Sequence, residues 1–427
     1  MAKKKNTLQT TESLPLVAID LGSNGVRAMA AERVGGDRLH ILGVEQTNQF
    51  QCVDRGVVVQ SSNAGYMIGQ VLKLLANRIG VTELPAAFVT MGGRSMKIYN
   101  VRSKRDQVRK REVSRQLLDE LQQECKDKIE ARNAEAAVLG LVPSYYVLDG
   151  VEQEEAPTPD QRATMVEANY VAFVGKKELE TQVRKSFDQA GKSIEQTFIR
   201  QDALLSAFAA TDGYEVLQDG CAVIDFGAQT TTLSVFKQSQ YLATKVVPQG
   251  GYHITRVLED QGISFAYAEK LKCQHGYASP DLVEKQYTML VPAPGLEVGK
   301  LRISNTEVAM QIALKLEEIL GPLLEELKKH EDRISVVYIT GGGSMLNGLL
   351  DFVAQRTKLK VMYGAHDRVL DITTSEEFCE PRYSSLVGAL LLGADYRDMH
   401  PGKKLTPPKI TDKLGGILID IFSNQQQ

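Results

Sequence analysis

Short, mostly apolar runs at residues 16–21, 87–90, 170–174, 222–226 and 336–340 read as period-two β-strands. Between them, residues 66–79 and 178–190 carry apolar positions three and four apart, which predicts amphipathic helices. Strands interleaved with helices, some strands pairing locally as hairpins, predict an α/β fold. Residues 307–330 predict a long helix with Val308, Ile312, Leu316, Ile319 and Leu320 on one face. Pro322 lacks a backbone N–H and is expected to end or kink that helix.

Two regions break the alternation. Residues 91 to about 168 have a charged middle, "VRSKRDQVRKREVSRQLLDELQQECKDKIEARNAEA", that reads as helical, followed by the acidic, proline-bearing loop "VEQEEAPTPDQR". This segment reads as an inserted subdomain. After Tyr396, "RDMHPGKKLTPPKITDK" is rich in proline and lysine without apolar periodicity, which is linker chemistry. The chain then turns apolar. Leu414, Ile417, Leu418, Ile421 and Phe422 follow i, i+3, i+4, i+7, i+8 and would form one face of an amphipathic helix suited to a lipid surface. Docking of the same face on the protein's own body is the alternative.

Composition narrows the class. A chain of 427 residues exceeds what one core usually serves, so two domains or one two-lobed body is expected. A net charge of -3 provides no general attraction to nucleic acid. Cys52, Cys125, Cys221, Cys273 and Cys379 are scattered and never spaced C-x-x-C, against a disulfide framework or a zinc site. The start "MAKKKNTLQTTESLP" has no apolar run behind its basic tip, and no segment approaches the roughly 20 apolar residues of a membrane span. The chain reads as neither secreted nor membrane-spanning.

The candidate chemistry lies in a pattern written twice. "VAIDLGSNGVRA" (17–28) and "VIDFGAQTTTLS" (223–234) both read as an apolar strand, Asp-x-Gly, a small polar turn and a second strand. Glycine lets backbone N–H groups approach an anion closely. An Asp at the strand end suits Mg²⁺ beside that anion, directly or through water. A third piece, "VVYITGGGSMLNGLL", reads as a buried strand, the glycines Gly341, Gly342 and Gly343, and a helix beginning near Ser344. Backbone of this kind can lie flat against a base or ribose. One D-x-G alone is an ordinary tight turn; the ordered set is far more specific.

In that order, the three pieces resemble the phosphate-1, phosphate-2 and adenosine elements of the actin, Hsp70 and sugar-kinase superfamily. Within it the chain most resembles the bacterial cell-division family FtsA over nearly its whole length, including "AAFVTMGGRSMKIYN", "KVVPQGGYHITRVLEDQGISFAYAEKLKCQHG" and "PRYSSLVGALLLGADY". The resemblance implies an actin-like, two-lobed α/β fold with an inserted subdomain 1C in place of 1B. The implied parts are 1A at 14–90 and 169–212, 1C at 91–168, 2A and 2B at 213–380, a return helix at 381–397, a linker at 398–412 and a membrane helix at 413–427.

It also implies ATP and Mg²⁺ as cofactors. Gly22, Ser23, Asn24 and Gly25 would form the first phosphate loop, and Gly227, Gln229 and Thr230 the second, with Gly251 in the turn behind it. Asp20 and Asp225 would face the metal, through water. Glu269 and Lys272 would approach ribose and base, with Gly341, Gly342, Gly343 and Ser344 closing the adenosine side. On residue chemistry alone, Glu269 and Lys272 are equally an exposed helical charge pair. Asp202 would orient water, or equally cap its helix. The implied partners are the FtsZ C-terminal peptide, further copies of the chain in filaments, later division proteins and an anionic membrane surface. The implied location is the cytoplasmic face of the inner membrane at the septum.

The second loop departs from the superfamily's usual D-x-G-G-G-T-x-D. Here it runs Asp225-Phe226-Gly227-Ala228-Gln229-Thr230-Thr231-Thr232, without the later glycines or the final Asp. Nucleotide binding should survive this better than hydrolysis, leaving at most a slow ATPase. The competing readings are a pilus-assembly actin homologue and a small-molecule kinase of the same superfamily.

Overall fold

The structure is a computed structural model that describes residues 14–400 apart from 37, 48–51, 95, 154–155, 214, 239 and 372. Residues 401–427, with most of the linker and all of the apolar tail read from sequence, lie outside the described residues; the return helix runs to Met399 and so takes in the first linker positions, past its expected end at 397.

The first hairpin pairs Leu16–Gly22 with Gly25–Gly35, closing at Gly22 opposite Gly25, so its turn is only Ser23 and Asn24. Leu16–Gly22 is buried almost throughout because it has a core on each face. Val17, Ile19 and Leu21 join one core, which includes residues of helix Ser61–Ile79, while Leu16 and Ala18 join another, with Leu386, Val387 and Leu390. A strand covered on both faces has little use for polar alternation, and few polar residues occur in it.

The two lobes share one sheet plan, which extends the repeat well beyond the hairpins. In the first lobe the strand order is Ile194–Ile199, Ala87–Met91, Leu16–Gly22, Gly25–Gly35, Arg38–Gln46. The second runs Lys360–Tyr363, Val336–Thr340, Cys221–Phe226, Thr231–Lys237, Gln240–Val247. In both, the Asp-bearing strand pairs antiparallel with its hairpin partner and parallel with a strand placing a threonine beside the aspartate. Asp20 is level with Thr90, and Asp225 with Thr340.

Helix Arg200–Asp212 leads from the first sheet toward the second, and helix Ser384–Met399 returns to pack against it and against Leu16–Gly22. The two helices meet at Gly388, where a side-chain carbon would lie 1.7 Å from the Ala203 carbonyl oxygen.

Residues 97–176 form a separate four-stranded sheet in the order Lys97–Glu112, Arg162–Lys176, Ala136–Leu148, Val151–Gln153. Helix Arg115–Glu130 packs against it through Leu121 and Cys125. The charged middle of this segment is therefore only half helical, because Lys97–Glu112 is an edge strand laddered to Arg162–Lys176. Its many Lys and Arg residues suit an open sheet edge, where charge discourages unwanted pairing. The strand Arg162–Lys176 also runs unbroken past Ala168, where the insertion was expected to end.

Helix Asn305–Lys328 likewise continues through Pro322 instead of stopping there. A proline inside a helix costs about 3 kcal/mol, and the buried Leu316, Ile319, Leu320, Leu323, Leu324 and Leu327 on both sides of it offset that cost.

Candidate functional site

The two hairpin turns and the glycine run converge on one cavity of ≈ 340 Å³ between the lobes. Gly22, Ser23 and Asn24 line it from the first hairpin, and Gly227 and Thr230 from the second. Gly251, Glu269 and Lys272 also border it, as do the aspartates Asp20 and Asp225 and the glycines Gly341, Gly342 and Gly343, of which Gly341 lies beside Asp225. Gly25, Gln229, Ser344 and Asp202 do not line it.

Local structure explains each placement. The second turn is braced from behind, because Gly251 N donates to Gly227 O at 2.9 Å and Tyr252 N to Ala228 O at 2.8 Å. A side chain on Gly250 would meet Gly227 O at 2.3 Å, so that approach requires glycine. Gly341 has φ +84, a conformation natural to glycine, and the chain then forms a 3₁₀ turn, Gly342–Met345, rather than the α-helix expected near Ser344. Ser344 is buried and donates from its hydroxyl to Gly341 O at 2.7 Å, holding the turn from below. Helix Leu349–Ala354 follows.

Gln229 reaches across the lobes instead of into the cavity, its Oε1 accepting from Arg55 N at 2.7 Å. Tyr252 makes a second crossing, its hydroxyl donating to Asn24 Oδ1. Glu269 and Lys272 are not an exposed pair. Lys272 Nζ donates to Glu269 Oε2 at 2.7 Å, to Thr255 Oγ1 at 2.9 Å and to Gly251 O at 3.1 Å, tying helix Phe265–His275 to helix Gly251–Glu259. Burial raises the Glu269 carboxyl, but the Lys272 charge and hydrogen bonds outweigh it and leave the carboxyl below its usual range.

The floor of the cavity holds a cation that the sequence reading passed over. The Arg200 guanidinium pairs through Nη2 with Asp20 Oδ1, and its Nη1 lies 3.9 Å from Asp225 Oδ2. Thr90 Oγ1 donates to Asp20 Oδ1 at 3.1 Å. Burial raises the Asp225 carboxyl, Asp20 adds to that, and Arg200 and Arg27 oppose it. Magnesium expected at Asp20 and Asp225 does not fit this arrangement. The two carboxylates already share one partly buried cation, and a divalent ion between them would repel it. Among the described residues no group of three or more His, Cys, Asp or Glu side chains could hold a metal.

Asp202 sits in the first turn of its helix, two residues beyond Arg200, with Ile199 as the N-cap. It therefore neither caps the helix nor reaches the cavity. Burial pushes its carboxyl up from 3.8 to about 6, and together with burial it pushes the Tyr241 hydroxyl well above the ordinary range. A carboxyl with a raised folded pKa holds its proton more tightly in the folded chain. Its contribution therefore favours folding at pH below the unfolded value and is lost as pH rises through the folded one. Asp202→Asn is expected to stabilise the protein by about 1–2 kcal/mol near pH 8, with the gain fading toward about pH 4. Urea unfolding of both proteins across that range checks it; an equal or lower stability of the variant near pH 8 would contradict it.

The profile described as "Cell division protein FtsA" matches residues 222–388. The cell division protein FtsA of Escherichia coli strain K12 is 23% identical over 415 residues, covering 91% of this chain and 92% of the relative. The chain is similar to the FtsA family. The solved neighbours show an actin-like architecture. The structure titled "PilM-PilN type IV pilus biogenesis complex" has a TM-score of 0.65 at 16% identity, over 88% of this chain and 98% of that one. MreB 5 of Spiroplasma citri bound to AMPPNP has a TM-score of 0.53 at 13% identity, over 92% and 100%.

Two cleft residues escaped the sequence reading, and each had a signal. Arg200 is a cation in the first turn of a helix, where the macrodipole disfavours it by about 0.3–1 kcal/mol, so a partner elsewhere was to be expected. Arg27 lies level with Asp20 across the first hairpin, the place that the second hairpin gives to Thr232 opposite Asp225.

Proposed function

We propose that this FtsA-like chain binds ATP in the interlobe cavity, assembles into filaments, and tethers FtsZ to the cytoplasmic face of the inner membrane at the septum while recruiting later division proteins. The observation that carries the reading is the convergence of both hairpin turns and the Gly341–Gly343 run on a single cavity. Nucleotide binding is also supported by an actin-like neighbour described as bound to AMPPNP. Hydrolysis is at most slow, because Thr232 brings no carboxylate and Asp202 lies outside the cavity. The inserted sheet at residues 97–176 takes the role of subdomain 1C, and the basic edge strand Lys97–Glu112 is its surface for neighbours and partners.

Membrane attachment rests on the tail, since among the described residues no helix is long and apolar enough to cross a membrane. The apolar face of Leu414, Ile417, Leu418, Ile421 and Phe422 inserts shallowly, with Lys403, Lys404, Lys409 and Lys413 adding attraction to anionic lipid. One tail binds weakly, and a filament carrying many tails stays attached through effective concentration. The full chain is expected to float with anionic liposomes and to carry a labelled FtsZ C-terminal peptide with it. Deleting residues 414–427, or Ile421→Glu, should abolish flotation and leave ATP binding intact. Flotation of the truncated chain would overturn the tethering role.

A further inference from the structure

We propose that the Arg200 guanidinium stands where a divalent cation would, so that this chain binds ATP with no metal at Asp20 and Asp225. The inference rests on the nucleotide reading above and concerns what neutralises the phosphates.

Two carboxylates beside a triphosphate would repel it unless a cation intervened. In a typical nucleotide site Mg²⁺ does this, bridging phosphate oxygens and one or two carboxylates through its retained waters. Here one protein cation touches both aspartates: Arg200 pairs with Asp20 and approaches Asp225 at 3.9 Å. It comes from the linking helix, whose start is fixed between the two sheets, so the charge is built into the fold. The Arg200 side chain retains 19% of its exposure and lines the cavity, leaving part of the guanidinium within reach of a ligand. Its Nε has no partner among the described residues, so the two carboxylates do not exhaust its donors. A guanidinium has five donors in a planar fork, and that geometry suits phosphate as well as carboxylate.

The charge balance of the cavity agrees. Arg27, Arg200, Lys272 and Arg382 line it as cations against Asp20, Asp225 and Glu269 as anions, four against three. Without Arg200 the count would be three against three, with two of the anions beside the phosphates. Arg27 adds to the same effect, because it acts on Asp225 from the hairpin position level with Asp20. The missing final Asp of the second loop fits as well: Thr232 supplies no further carboxylate with which to recruit a metal.

The test is titration of the full chain with a ribose-labelled fluorescent ATP, in excess MgCl₂ and in EDTA. The dissociation constants in the two buffers are expected to agree within about threefold. Arg200→Ala is expected to lose about tenfold or more in EDTA and to recover in MgCl₂, because the bared carboxylates can then take the metal. A wild-type affinity that is normal in MgCl₂ and falls about tenfold or more in EDTA would overturn the inference and leave the nucleotide reading standing. An Arg200→Ala chain that binds equally well in both buffers would overturn the substitution of arginine for metal. Absence of binding in either buffer would overturn the nucleotide reading and this inference with it. Should Arg200→Ala melt abnormally, the wild-type comparison remains decisive alone.

Discussion

Gly342→Asp is expected to leave the melting curve unchanged and to weaken ATP binding by about 100-fold, or 2.7 kcal/mol. Of the three adjacent glycines, only Gly342 combines an ordinary backbone conformation with open space. A side-chain carbon on Gly341 would lie 2.5 Å from Asp225 Oδ1, and one on Gly343 would lie 2.8 Å from the Phe226 ring. On Gly342 the nearest atom is Arg27 Nη2 at 4.0 Å. An aspartate there folds without collision, pairs with Arg27 and projects into the cavity that the nucleotide must fill. It blocks by volume, and it both adds a negative charge and occupies a cation. The two readouts separate the causes: lost affinity with a lowered melting temperature would mean damage to the fold, and retained affinity would mean that ATP does not lie on this glycine run.

Gly388→Ala is expected to cost about 3 kcal/mol or more, at or beyond the upper end of what overpacking normally costs. The added carbon would lie 1.7 Å from Ala203 O and 2.4 Å from Ala203 C, and these are backbone atoms that no rotamer change can move. Helices Ser384–Met399 and Arg200–Asp212 would have to separate. The same movement would shift Arg200 at the start of the second helix, so nucleotide affinity should fall with stability. Urea unfolding reads the first effect. A variant as stable as the parent would contradict this helix crossing.

What could be read from sequence was local. Each hairpin with its aspartate sits within about a dozen neighbouring residues, and its glycines and small polar residues carry the turn chemistry directly. The strand and glycine run at 336–343 is equally self-contained. What could not be read depends on distant partners. Arg200 meets Asp20 across 180 positions, and no local rule pairs them. The strand Lys97–Glu112 looks helical by composition and is extended because Arg162–Lys176 ladders to it. Pro322 is tolerated because leucines on both sides are buried by other elements. The five-stranded repeat stayed hidden because Arg38–Gln46 and Gln240–Val247 share a place in the sheet but no residue pattern. Gln229 was read as a phosphate contact from its place in the loop, and the backbone of Arg55 in the other lobe draws it away.

The most direct measurement is an experimental structure of the full chain with a non-hydrolysable ATP analogue. The phosphates are expected between the Ser23–Asn24 turn and the turn at 227–230, with the adenosine against Gly341–Gly343 and Arg200 still paired to Asp20. An analogue bound elsewhere, or a cavity without nucleotide under conditions where titration shows saturation, would contradict the nucleotide cleft.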